Sequence, residues 1–184
     1  PGITAICGAN GAGKTRLLDL VGKLVRNEGL PSEIKANLSS PIDQEAIKKI
    51  ITPETERVRK SLLHDIPTII DQFPLSQDEL DPYGESTLDP DFVECMRYVL
   101  GKTYQSIKVY DLAPEIENLE SIPYIVVNDG YREYDISGMG DGELVCLLTA
   151  WAVSRAVNNS VLIFEEIETY LSPKTQMRLM DYVA

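Results

Sequence analysis

Eight residues near the start of the chain, Gly8-Ala9-Asn10-Gly11-Ala12-Gly13-Lys14-Thr15, restrict its fold more than any other feature. They satisfy every fixed position of G-x-x-x-x-G-K-[ST]. Such a loop works only between a strand and a helix. Its glycines let the backbone curl so that successive N–H groups face inward, and the helix that follows adds the positive end of its dipole. The flanks agree with this. Ile3-Thr4-Ala5-Ile6-Cys7 is β-prone, and Leu17, Leu18, Val21, Leu24 and Val25 share one face of a helix over 14–26, with Gly29 placed to end it. The chemistry expected is capture of a nucleoside triphosphate, ATP with Mg²⁺. Asn10, Gly11, Ala12, Gly13, Lys14, Thr15 and Arg16 are the candidate nucleotide-binding residues. Lys14 would bridge the β- and γ-phosphates, with a part in catalysis, and the Thr15 hydroxyl would bind the cation.

A phosphate loop needs an acid at the end of a nearby strand. Val161-Leu162-Ile163-Phe164 is wholly apolar, the pattern of a strand buried on both faces of a parallel sheet, and it runs into Glu165-Glu166. Ligands of open α/β sheets gather at that edge. Glu165 is the expected Mg²⁺ ligand, acting through water, and Glu166 the catalytic residue that polarises the attacking water. The plainer reading is a solvated acidic turn after a core strand. Glu168 is a third acid whose role stays open.

The remaining composition narrows the partners. A chain of 184 residues fits one domain with a real core, and 43% hydrophobic with 25% charged residues is ordinary for a globular protein. No apolar run approaches the roughly 20 residues of a membrane span, so no membrane partner is expected. The chain opens at Pro1-Gly2 on a strand and stops at Tyr182-Val183-Ala184 within a helix, which reads as a fragment truncated at both ends. Asp and Glu outnumber Lys and Arg by 29 to 17, giving a net charge of -12. A tight nucleic-acid surface needs the opposite balance. The short basic run Arg57-Val58-Arg59-Lys60 reads as a solvated helix face, so nucleic acid would be reached through a larger complex. Cys7, Cys95 and Cys146 stand apart among apolar neighbours, as buried free thiols of a reducing cytoplasm do. With His64 the only histidine, a multi-histidine metal site within the chain is excluded.

Along the chain, residues 1–29 form the loop strand and its helix. Residues 30–120 have another texture, with Pro31, Pro41, Pro53, Pro67, Pro74, Pro82 and Pro90 as punctuation, and read as a helical and loop-rich insert without heptads. Short helices are expected near 43–51 and 54–63, a helix over 91–100 stopped by Gly101, and a strand over 106–110. Residues 121–184 carry a hairpin, a helix, the apolar strand and a last helix. In the hairpin, Tyr124-Ile125-Val126-Val127 and Tyr131-Arg132-Glu133-Tyr134 flank Asn128-Asp129-Gly130. Ser172-Pro173 reads as an N-cap followed by proline at the first helical position.

A glycine cluster, Gly138-Met139-Gly140-Asp141-Gly142-Glu143, opens an apolar helix over 143–157. A glycine-rich helix start is a good anion site, although a plain hairpin-to-helix connection would use the same residues. The order of glycine cluster, helix, strand and acid pair resembles ABC-type ATPases, and the resemblance sharpens in detail. Gly140-Asp141-Gly142-Glu143-Leu144 is similar to the S-x-G-E signature of the OLD, RecF and SMC group. Glu165-Glu166-Ile167-Glu168-Thr169-Tyr170-Leu171-Ser172-Pro173 is similar to that group's E-E-P-E-x-x-L-x-P run. Together with Gln176, these residues most resemble the ATPases of Septu-type and retron-associated anti-phage defence. The likeness covers residues 1–26 and 131–180.

The resemblance implies an α/β P-loop NTPase, with an ABC-ATPase-like mixed sheet and flanking helices, that hydrolyses ATP. It implies head-to-head pairing of two copies, with Ser137, Gly140, Asp141 and Gly142 reaching the nucleotide of the other copy, and an effector such as an HNH nuclease under nucleotide control. The sequence departs from the pattern in four ways, one being that no switch histidine follows Glu166 within the 184 residues; it would be expected beyond Ala184. Ile167 replaces the proline after the acid pair, the signature serine is either Ser137 or replaced by Gly140, and the Q-loop glutamine is open among Gln44, Gln72 and Gln77. A missing serine favours slow, switch-like turnover. The competing readings are a RecF- or SMC-like repair ATPase, the nucleotide-binding subunit of a transporter, and a module that binds ATP without hydrolysing it.

Overall fold

The computed structural model describes residues 4, 6, 7, 9, 11–25, 29, 32, 50–51, 80–83, 85–112, 122–155, 161–164 and 168–183. Its best-packed part is an antiparallel sheet with three helices. Strands β2 (Glu85–Thr87), β3 (Ser106–Leu112), β4 (Ile122–Asn128) and β5 (Glu133–Asp135) lie side by side in that order. The β3–β4 ladder runs from Ser106 opposite Asn128 to Leu112 opposite Ile122. Tyr124, Ile125, Val126 and Val127 are all buried in consecutive positions, so β4 is covered on both faces. The sheet joins strands from both sides of residue 120.

Helix α2 (Pro90–Leu100) forms where its termini dictate. Asp89 accepts from the Phe92 N–H at 2.7 Å, Pro90 follows it, and Gly101 ends the helix at φ 67 with its N–H on the Arg97 carbonyl. Phe92, Val93, Met96 and Val99 make its buried stripe. Helix α3 (Asp141–Ser154) and helix α4 (Pro173–Val183) pack on each other and on α2, which also touches β3. Met96, Tyr104, Ile107, Tyr110, Leu147 and Leu179 lie at the centre of this core. Ser172 accepts from the Thr175 N–H at 3.3 Å, as expected of an N-cap ahead of Pro173. Two further pieces of helix and strand are described. Helix α1 spans Lys14–Val25, and β1 (Ile50–Ile51) pairs in parallel with β6 (Val161–Leu162).

Several sequence expectations change. Ile50 and Ile51 are strand rather than the end of a helix over 43–51. Two adjacent β-branched residues with a parallel partner satisfy their backbone that way. The rest of that helix and the one at 54–63 lie outside the described residues. Thr4, Ile6 and Cys7 are exposed and have no ladder partner among the described residues, because a β-prone composition alone does not supply one. Cys7 is therefore not a buried thiol; Cys95 is half-buried and only Cys146 is fully enclosed. Val161 and Leu162 are half-buried rather than covered on both faces, with Ile163 the buried residue of that run. The hairpin loop is longer than the Asn-Asp-Gly signal suggests. Asp129 accepts from the N–H groups of Tyr131 and Arg132, which holds both in the loop and delays β5 to Glu133. Helix α3 begins two residues early, at Asp141, and Ser154 is its last residue.

Candidate functional site

The loop ahead of α1 has the backbone its sequence demands. Gly11 and Gly13 sit at φ 80 and 86, a region in which a Cβ is strained, and a Cβ at either would project into open space. The Ala12 N–H donates to the Ala9 carbonyl at 3.1 Å, closing a turn, and the Leu17 N–H meets the Gly13 carbonyl at 3.0 Å as the helix starts. Lys14 and Thr15 occupy the first turn of α1, half-buried, with Arg16 exposed beside them. Lys14 Nζ donates to the Ala9 carbonyl at 3.1 Å, so the ammonium curls back across the loop. The arrangement presents the N–H groups of a helix start and an ammonium beside open space. Those groups fit a polyphosphate, since they match its charge and a side chain would obstruct its approach. Asn10 and Gly8 lie outside the described residues, as do Glu165 and Glu166. The cation's acidic partners are therefore undescribed, and Thr15 is the described residue that could hold it. Among the described residues no cluster of His, Cys, Asp and Glu could bind a metal by itself.

The glycine cluster resolves into two turns. Ile136–Gly138 form a 3-10 turn capped by Asp135, which accepts from both the N–H and the hydroxyl of Ser137. Gly140 is the N-cap of α3 and has no side chain with which to cap it. Gly140 and Asp141 are exposed and a Cβ on Gly140 would meet nothing, whereas Gly142 is half-buried. The N-cap position, where a serine would cap the helix, thus belongs to Gly140, and Ser137 lies one turn upstream with its hydroxyl on Asp135.

Gly142 has a packing reason to be glycine. A Cβ there would lie 2.5 Å from the Tyr170 carbonyl oxygen. Tyr170 itself sits at φ 65, unusual for a bulky residue, in the turn that follows the acid pair in sequence. That turn is held by the Leu171 N–H on the Glu168 carbonyl and by Gln176, whose amide donates to the carbonyls of Glu168 and Leu171.

Sequence reasoning passed over Glu143 as a site residue. It is a buried carboxylate, 7% exposed, that accepts from Lys102, Tyr104 and Tyr134. Lys102 and Tyr104 reach it because the segment after Gly101 is pinned. Arg97 Nε donates to the Tyr104 carbonyl at 2.6 Å and the Gln105 N–H to the Asn128 carbonyl at 2.7 Å. Burial opposes the Lys102 charge, but the hydrogen bond and negative charge of Glu143 outweigh it and raise the lysine above its ordinary range. Burial and the same carboxylate hold the Tyr104 hydroxyl protonated well beyond the usual tyrosine range and raise that of Tyr134 as well. The only sequence signal for this hub is a glutamate followed at once by the apolar run Leu144-Val145-Cys146-Leu147-Leu148.

A family model identifies the chain as an ABC/AAA-like P-loop ATPase domain, a nucleotide-binding class. The chain belongs to the family described as "AAA domain, putative AbiEii toxin, Type IV TA system", whose model matches residues 28–183. The Gly8–Thr15 loop precedes the matched stretch. No curated protein and no solved structure matches the chain. No helix among the described residues is long and apolar enough to cross a membrane.

Proposed function

We propose that this domain binds and slowly hydrolyses Mg²⁺-ATP, pairs head-to-head with a second copy when ATP is bound, and through that pairing controls an effector protein in cytoplasmic anti-phage defence. The observation that carries the reading is the loop before α1: Gly11 and Gly13 in the left-handed region, a helix starting at Lys14, and an ammonium curled back onto the Ala9 carbonyl. ATP would draw Lys14 from the Ala9 carbonyl onto its phosphates. Asn10, Gly11, Ala12, Gly13 and Arg16 would line the polyphosphate. Thr15 and Glu165 would hold Mg²⁺, which neutralises phosphate charge, and Glu166 would orient the attacking water.

Pairing is supported by the start of α3, where a glycine N-cap without a capping side chain leaves Gly140 and Asp141 exposed; in this reading they would face a phosphate of the other copy. Ser137, one turn away, would lie at its rim. The family description names a putative AbiEii toxin of a Type IV TA system. That suits an ATPase whose output passes through a partner such as an HNH nuclease. A net charge of -12 disfavours the repair-ATPase reading, because this surface would repel DNA.

The test compares ATP turnover and self-association of wild type and Glu166→Gln. Glu166→Gln is expected to bind ATP, lose turnover and accumulate pairs. Normal hydrolysis by Glu166→Gln would remove Glu166 from its role, and no ATP-dependent pairing in either protein would remove the head-to-head reading.

A further inference from the structure

A glutamate at the third position of a helix commonly folds back to cap the N–H groups ahead of it. Glu143 holds that position in α3 but turns to the sheet, where its two carboxylate oxygens accept from Lys102, Tyr104 and Tyr134. The three donors come from the loop between α2 and β3 and from β5, so the carboxylate ties the first turn of α3 to the sheet. On another side of the same turn, Gly142 lies against the Tyr170 carbonyl. Gly140 and Asp141, directly ahead of these two anchors in the chain, are exposed. The turn therefore has one orientation, set by buried bonds on one side and by backbone contact on the other.

We propose that Glu143 is a positioning residue for nucleotide-driven pairing: held by Lys102, Tyr104 and Tyr134, it fixes the angle at which Gly140 and Asp141 meet the ATP bound by a second copy. This rests on the reading that the glycine cluster closes a shared site. It also sets Glu143 apart from nucleotide contact, since both of its oxygens are engaged within its own chain. Buried networks of this kind hold geometry because an unsatisfied member is costly. Misplacing a group that completes a site by about 1 Å can cost about a hundredfold in rate.

The experiment uses the full-length protein with Glu143→Gln, Lys102→Met, Lys102→Arg and Tyr134→Phe. ATP affinity is read with a fluorescent ATP analogue, pairing by light scattering with ATP in the Glu166→Gln background, and kcat and KM by phosphate release. Glu143→Gln and Lys102→Met are expected to keep single-copy ATP affinity within about twofold, while pairing weakens by about tenfold or more and kcat falls with it. Lys102→Arg should restore most of the pairing, because it returns a charged donor. Tyr134 lies at the rim of the hub, so Tyr134→Phe keeps the test decisive if Glu143→Gln does not fold, and it should show the same split more mildly. Unchanged pairing and kcat in a folded Lys102→Met or Tyr134→Phe protein would overturn the proposal while leaving the ATPase reading intact. A wild type that binds ATP but never pairs would overturn the shared-site reading and this proposal together.

Discussion

Replacing Gly142 with alanine pits two opposing effects against each other, and the structure says which wins. In an open helical site, glycine to alanine is favourable by about 0.8–1 kcal/mol, because the backbone loses less freedom on folding. Gly142 is in the first turn of α3, where the full benefit is not expected. Against it stands a Cβ placed 2.5 Å from the Tyr170 carbonyl oxygen, a backbone atom rather than the end of a flexible side chain. That carbonyl cannot retreat cheaply. Its residue is already at φ 65, Leu171 beside it is buried, and Gln176 bonds the carbonyls on both sides. Overpacking of this kind costs about 1–3 kcal/mol, so the net expectation is a loss of about 1–2 kcal/mol. For a domain of this size that is about 2–8 °C in Tm. The control is Gly140→Ala, where a Cβ meets nothing and only the weaker capping of alanine matters, a loss of less than about 1 kcal/mol. Both are measured without nucleotide by urea and thermal denaturation, which separates packing from ligand contact. A Gly142→Ala protein as stable as wild type would refute the claim that the turn after the acid pair abuts the start of α3.

Three further outcomes follow from the same geometry. Tyr104→Phe removes a buried donor to Glu143 and should destabilise by about 1.5–3 kcal/mol, at the low end because Lys102 and Tyr134 remain; an unchanged urea midpoint would contradict the hub. Burial would raise the Asp135 carboxyl, but the Ser137 and Tyr124 hydroxyls and the N–H groups of Ser137 and Gly138 outweigh it and hold it below the ordinary carboxylate range. Its contribution is then present above about pH 4 and lost as pH falls through the depressed value, so Asp135→Asn should flatten the acid limb of a stability–pH curve. With a thiol reagent on the native protein, Cys7 should react first and Cys146 last, since Cys146 is buried and its thiol is pushed up to about 12; fast labelling of Cys146 would argue against the packing of α3.

The parts of this fold that were legible in the sequence are those written in local chemistry. Gly101 ends α2, Ser172-Pro173 opens α4, and Asn128-Asp129-Gly130 turns the hairpin, because caps and turns act within four residues. The phosphate loop belongs to the same kind, since Gly11 and Gly13 carry their conformational reason in their own φ. What was not legible depends on distant partners. Ile3 to Cys7 and Ile50-Ile51 are similar in composition. A ladder partner at Val161-Leu162 makes a strand of the second, while Thr4, Ile6 and Cys7 of the first have none among the described residues. The Glu143 hub gathers donors from residues 102, 104 and 134, and no local spacing announces it. Gly142 read as a ligand-facing glycine, yet its tightest constraint is the carbonyl of Tyr170.

The central claim is that the loop before α1 captures a triphosphate. Calorimetric titration of Mg²⁺-ATP into wild type and Lys14→Ala tests it most directly. The account predicts saturable binding by wild type, weakened in Lys14→Ala by about 10–100-fold, the loss of a charge-assisted contact worth about 1.5–3 kcal/mol. Equal affinities in the two proteins, or no heat of binding in wild type, would contradict it.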